Sequence, residues 1–247
     1  MRLCDEINVL YKDKDIIYDL VEKYPDKTII LEIAPKEEYD INKIRELNII
    51  CKYKLICRVP SFDAIKDCKN LNIAFFYGFP VYNYSTLQSL KNLGAKYIIL
   101  EAPLFFDLDI VKNFNIPVRA VPNRVTTEDF PIVPSHGTWI RPEDIDVYEK
   151  YIDIFEFDFK DTKQEQALFR IYHNEQKWDG PLSMLWQKNK TEEDARSSML
   201  PKELTYRRLN CKHHCAINGF NCRSCDRAFG LANPKVIQEY LAARNEN

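Results

Sequence analysis

The chain has 247 residues, 45% of them hydrophobic and 29% charged, with a formal net charge of -2. That composition is globular, and a charge so near zero gives no whole-chain attraction to nucleic acid or membrane. Six glycines, with no G-x-G-x-x-G and no Walker pattern, argue against a glycine-rich phosphate loop.

No apolar run reaches the roughly 18 residues that a membrane helix needs. The start, Met-Arg-Leu-Cys-Asp-Glu, reaches charge too soon for a secretory signal. The expectation is a soluble, cytoplasmic protein with no membrane partner.

Short apolar runs then alternate with amphipathic ones. Ile7 to Leu10 reads as a strand, followed by a helix from Asp13 to Lys23. Thr28 to Ala34 is rich in β-branched residues and stops at Pro35, so it reads as a second strand. A helix follows near Ile41 to Leu47, then a strand from Lys54 to Val59 closed by Pro60. Ser61 caps a short helix. Asn72 to Tyr77 is a fourth strand, and Ser85 to Leu93 a helix ended by Gly94. Tyr97 to Glu101 is a fifth strand, Asp107 to Phe114 a helix, and Pro117 to Val121 a sixth strand. Thr138 to Arg141 reads as a seventh, with Pro142 opening the next helix. Ile152 to Asp158 is an eighth, followed by a helix from Lys163 to Gln176.

Repeating β-α units favour an α/β fold with a parallel sheet, and eight of them favour a (β/α)8 TIM-type barrel over residues 1–176. An open doubly wound sheet is the alternative, weakened by the missing glycine-rich first turn. Residues 177–247 read as a small cysteine-rich C-terminal extension, ended by a helix that Asn233 caps and Pro234 opens.

The extension carries the most specific pattern in the chain. Cys211, Cys215, Cys222 and Cys225 are spaced C-x3-C-x6-C-x2-C. Paired thiols on short spacers can turn toward one point, which suits a [4Fe–4S] cluster or one structural zinc. Local disulfides are the weaker reading in a cytosolic chain. Cys4, Cys51, Cys57 and Cys68 are scattered and read as small buried hydrophobes. Between Lys202 and Arg227 six basic residues face two acidic ones. That excess either offsets the thiolates or attracts RNA.

In a barrel the carboxyl ends of the strands face the active site. The polar residues at those ends are Glu32, Arg58, Tyr77, Glu101, Arg119, Arg141, Glu156 and Asp158. One reading pairs Glu32 with Arg58 and Glu101 with Arg119 as ion pairs filling the interior, since unpaired burial of charge is costly. The other makes a pocket of mixed charge for a polar or anionic substrate. There Glu32, Glu101 and Asp158 are candidate acids or bases, and Arg58 and Arg119 bind substrate. A faint echo supports two halves: Ile29-Ile-Leu-Glu32 resembles Ile98-Ile-Leu-Glu101, and Cys57-Arg-Val-Pro60 resembles Arg119-Ala-Val-Pro122. The loop 131–142 adds His136 as a candidate acid or base. It also carries Arg141 for a carboxylate or phosphate and Trp139 as a stacking wall. No Ser-His-Asp set, H-E-x-x-H or nucleophile elbow occurs.

Pro142-Glu-Asp-Ile145, Tyr148 to Tyr151 and Ile154-Phe-Glu-Phe-Asp-Phe-Lys160 together resemble the end of the barrel in the collagenase-like peptidase family U-thirty-two. That family has a strand of the form Leu-Lys-Ile-Glu-Gly-Arg here. Asp158 takes the Glu position, Phe159 the Gly position and Lys160 the Arg position. The resemblance implies a TIM-type barrel and a [4Fe–4S] cluster. It also implies oxygen-independent hydroxylation of a nucleic-acid base or a ubiquinone precursor. The alternatives are a zinc-stabilised barrel that binds RNA or a protein partner without catalysis, and a structural component of an assembly.

Overall fold

Alternating apolar and amphipathic runs fold into an α/β architecture whose strands pair in parallel. The computed structural model describes residues 5–100, 104, 107–122, 140–157, 162–173 and 209–210. The strands are β1 (Glu6–Leu10), β2 (Thr28–Glu32), β3 (Leu55–Val59), β4 (Ala74–Tyr77), β5 (Ile98–Ile99), β6 (Val118–Ala120) and β7 (Ile154–Phe155). The helices are α1 (Ile17–Lys23), α2 (Ile41–Ile50), α3 (Phe62–Asn70), α4 (Tyr84–Leu93), α5 (Leu108–Lys112), α6 (Ile145–Tyr148) and α7 (Thr162–Tyr172). Two compact units result: Met1–Pro80 with Leu87–Ile99, and Val81–Thr86 with Leu100–Asn247.

In the first unit the sheet order is β1-β2-β3-β4. The register sets Ile30 opposite Ile56, Glu32 opposite Arg58, and Arg58 opposite Phe76. Period-two alternation then puts Ile30, Glu32, Ile56, Arg58 and Phe76 on one face. On that face Ile30, Ile56, Phe76 and Ile99 cluster, with Tyr97 packed against them. The opposite face buries Ile29, Leu31, Leu55, Cys57, Val59 and Phe75. There α3 lies on β3 and β4. Burial on both faces explains why β2 and β3 read as nearly continuous apolar runs. At the edge, β1 buries Val9 and exposes Asn8 and Leu10.

Helix starts follow from capping side chains. Asp40 accepts from the Asn42 N–H at 2.8 Å, and Ser61 from the Ala64 N–H at 3.2 Å. Gly94 closes α4 with φ +83, a conformation that glycine adopts without a Cβ clash. Both the Ser61 cap and the Gly94 stop agree with the sequence.

In the second unit β6 and β7 pair in parallel, Arg119 opposite Ile154. The Leu100 N–H donates to the Arg119 carbonyl at 3.1 Å. On α7, Leu168, Ile171 and Tyr172 form the buried stripe. The Tyr172 hydroxyl, 2.7 Å from the Ile140 carbonyl, ties that helix down.

Three elements differ from expectation. A 3-10 turn over Tyr11–Ile16 precedes α1, and Asp13 is non-helical within it. The expected strand over 138–141 is described only at Ile140 and Arg141, and neither residue is in a strand. Arg141 instead leads into a 3-10 turn at Pro142–Asp144, where proline presets the helical φ. The expected eighth strand shortens to Ile154–Phe155. The boundary at 176/177 lies outside the described residues, as does 177–247 apart from 209–210.

Candidate functional site

Glu32 ends β2 and Arg58 lies one residue from the end of β3, and their register sets them side by side at the carboxyl edge of the sheet. Arg58 Nη1 stands 3.5 Å from Glu32 Oε2. Its other terminal nitrogen donates to the Gly78 carbonyl at 3.4 Å, and its guanidinium lies 5.9 Å over the Phe76 ring. The Arg58 side chain is 12% exposed and the Glu32 side chain 34%. The pair is therefore open to solvent on the carboxylate side, and the expected ion pair between these two residues is present.

Gly78 makes room for this arrangement. A Cβ there would meet Arg58 Cγ and the Val59 carbonyl oxygen, each at 3.2 Å. The Arg58 stem can swing away, but the strand carbonyl cannot move far. Gly78→Ala is expected to lower stability by about 1–2 kcal/mol and to displace the Arg58 head. Urea unfolding checks it, and an unchanged midpoint would remove the close-packing account. Sequence reading missed Gly78. The available signal was the scarcity of glycine, six in the chain, with this one directly after a strand.

Tyr77 ends β4 and packs between Phe62 and Phe79, at 5.5 Å from each ring centroid. Phe62 and Phe79 are 42% and 41% exposed. The carboxyl edge thus carries exposed aromatic faces as well as the charged pair.

The loop after β2 is pinned from three sides. The Asp40 N–H donates to the Tyr11 hydroxyl at 2.7 Å, and Tyr39 donates to the Asp67 carboxylate at 2.7 Å. The Ala34 N–H donates to the Glu37 carboxylate at 2.8 Å. Burial, then the hydrogen bond to Asp67, pushes the Tyr39 hydroxyl well above its usual pKa, so it stays a donor. These contacts hold the wall beside Glu32 in one conformation. None of the tyrosine contacts was legible, because each joins residues 28 or 29 positions apart.

In the second unit Arg119 is 2% exposed and lies 3.5 Å from Glu156. The Glu156 N–H donates to the Ala120 carbonyl at 2.9 Å, which fixes the carboxylate beside β6. The partner described is Glu156, whereas sequence reading chose Glu101, which lies outside the described residues. Arg141 lies 3.3 Å from Glu143 and 3.6 Å from Asp144, so its charge is met by the acidic first turn that follows it. Candidate residues His136, Trp139 and Asp158 lie outside the described residues, as do Cys211, Cys215, Cys222 and Cys225.

Cys51, Cys57 and Cys68 are free and buried, as expected of small core residues. Cys57 on β3 shares a hydrogen bond with Cys68 on α3, and this with burial drives its pKa well up. Burial alone pushes Cys51 from 9.0 to about 11. The unfolded chain then loses thiol protons at lower pH than the folded one. Stability is full below pH 9.0 and falls as pH rises toward about 11. The expected slope from Cys51 alone is about 1.4 kcal/mol per pH unit in that window. Urea midpoints at rising alkaline pH check this; Cys51→Ala should show a shallower fall, and an equal fall would locate the loss elsewhere.

Among the described residues no group of three or more His, Cys, Asp or Glu is arranged to hold a metal ion, and no helix is long and apolar enough to cross a membrane. No protein-family model and no curated protein matches this chain.

Proposed function

We propose that the chain is an iron–sulfur barrel enzyme that binds a flat, polar substrate at the carboxyl ends of its strands and modifies it. The observation that carries this reading is the Arg58–Glu32 pair beside exposed aromatic faces at the carboxyl edge of a parallel sheet. Ligands of α/β folds bind at that edge. Arg58 offers hydrogen-bond donors, Glu32 acceptors, and Phe62, Tyr77 and Phe79 offer ring surfaces. A nucleic-acid base suits such a set.

The barrel is supported by the strand order. Four consecutive strands lie in chain order with a helix between each pair. A doubly wound sheet reverses its order near the first strand, whereas a barrel runs on.

Four thiols at Cys211, Cys215, Cys222 and Cys225 are the right donor chemistry for a [4Fe–4S] cluster, and equally for zinc. A cluster would supply electron transfer, and hydroxylation is the reaction that the resemblance to family U-thirty-two implies. This chain's own residues would orient the base through Arg58 and accept a hydrogen bond from it at Glu32. Asp158, Glu101 and His136 remain candidates for further acid–base work. Arg119 and Trp139 remain candidates for substrate contact.

The test is metal and sulfide content with a visible spectrum on protein purified without oxygen. About four irons and four sulfides per chain are expected. One zinc and a colourless protein would replace this reading with a zinc-stabilised barrel that binds RNA or a protein partner.

A further inference from the structure

The loops that return from helix to strand lie at the end of the first unit's sheet opposite Glu32 and Arg58. They are Tyr24 to Lys27 before β2, Cys51 to Lys54 before β3, Leu71 to Ile73 before β4, and Gly94 to Tyr97 before β5. Lys23, Lys52, Lys54 and Lys96 are exposed there, and Lys27 is half-buried beside Asp5 at 3.1 Å. These five lysines stand with four carboxylates, Asp5, Glu6, Glu22 and Asp26. Helix-end electrostatics accounts for Lys23, in the last turn of α1. Lys52, Lys54 and Lys96 follow the helices and belong to the loops.

Two tyrosines stand among these lysines. Tyr24 is 39% exposed and Tyr53 74%, the highest value among the exposed large hydrophobic side chains described. Lys54 Nζ donates to the Pro25 carbonyl at 3.3 Å, which brings the two tyrosine-bearing loops together. The Lys23 ammonium lies 5.2 Å from the centroid of the Tyr24 ring.

Tyr53 is presented on a rigid turn. Lys52 and Tyr53 are both left-handed, at φ 51 and φ 63, a conformation side-chain-bearing residues rarely adopt. The turn is closed by Lys52 N–H to Ile49 O, Tyr53 N–H to Asn48 O and Lys54 N–H to Cys51 O, each at 2.9 Å. A ring so exposed gains little from folding, and its lysine neighbours in sequence repel another cationic surface. Rigid aromatic faces interleaved with ammonium groups match a strand of phosphates with unstacked bases.

We propose that this face binds single-stranded nucleic acid, with Lys52 and Lys54 on phosphates and Tyr24 and Tyr53 stacked on bases. The surface is separate from the proposed substrate site, so the proposal stands or falls independently of it.

The test is fluorescence anisotropy of a labelled oligouridylate with the full chain, over a series of salt concentrations. Neutralising two phosphate contacts in Lys52→Gln/Lys54→Gln should reduce the slope of log K against log salt by about 1.4. Tyr53→Ala should weaken binding about tenfold or more at fixed salt. Circular dichroism and the thermal midpoint, expected unchanged, confirm that the variants fold. The proposal is overturned if the oligonucleotide does not bind, or if these variants bind like the parent. It is also overturned if only Lys212→Gln or Arg223→Gln weakens binding, which would place the contact beside the clustered cysteines. Competition by polyglutamate that tracks the lysines and ignores both tyrosines would identify an acidic protein partner instead.

Discussion

Glu156→Ala is expected to destabilise the protein by about 3 kcal/mol or more. Arg119 is 2% exposed and Glu156 18%, so little water reaches the guanidinium to replace the Glu156 carboxylate when it is removed. Removing one partner of a buried ion pair costs far more than the net contribution of the intact pair. The double variant Arg119→Met/Glu156→Leu should therefore recover most of the loss, since it removes both charges and keeps volume. Glu32→Ala is expected to cost less, about 1 kcal/mol, because Glu32 is 34% exposed and water can replace it. Urea unfolding of the four proteins decides the matter. A Glu156→Ala cost below about 1 kcal/mol would reduce the pair to the status of a surface bridge.

These two ion pairs show how far the sequence carried. Placing both residues at strand carboxyl ends, where buried charge needs a partner, brought Glu32 to Arg58 as one of two readings. The same reasoning paired Arg119 with Glu101, whereas the carboxylate described beside it is Glu156. Glu156 directly follows β7, the strand after β6, and its backbone bond to Ala120 holds it in place. An apolar run announces a strand and a partner's existence; it does not say which neighbour supplies the partner. Capping chemistry was legible where one residue acts locally, as Ser61 and Gly94 do. The Tyr39–Asp67 and Tyr11–Asp40 contacts were not, since they depend on how α2 and α3 settle on the sheet. Gly78 belongs with them: its need is the close approach of the Val59 carbonyl and the Arg58 stem, which its place directly after a strand does not specify.

At Ile140 and Arg141, the described part of the expected strand over 138–141, no strand forms, for a different reason. Thr138-Trp-Ile-Arg has strand-like residues, but Arg141 is followed by Pro142, Glu143 and Asp144. Proline at the first helical position, with acids in the first turn, starts a helix. The Arg141 charge is drawn to Glu143 and Asp144, so at Ile140 and Arg141 the pull toward the helix start prevailed over β propensity.

Serine at any one of Cys211, Cys215, Cys222 or Cys225 is expected to lower bound metal at least about tenfold, whereas serine at Cys51, Cys57 or Cys68 leaves the metal content unchanged. The argument rests on protonation. A cysteine binds metal as thiolate, and burial opposes that form. Burial pushes Cys51 to about 11, and the hydrogen bond with Cys68 together with burial pushes Cys57 well up, so these sulfurs stay protonated in the core. Their serine variants replace a weakly polar sulfur with a hydroxyl among apolar neighbours, at about 1–3 kcal/mol of stability. The clustered four carry the opposite signature in sequence: short spacers and surrounding Lys, Arg and His, which favour thiolate. Metal analysis paired with thermal unfolding separates the two groups. Loss of metal in Cys57→Ser, with the fold intact, would move the metal into the core of the first unit and break the assignment. Retention of metal in all four clustered variants would leave the C-x3-C-x6-C-x2-C segment without a metal role, and the iron–sulfur reading of this chain would go with it.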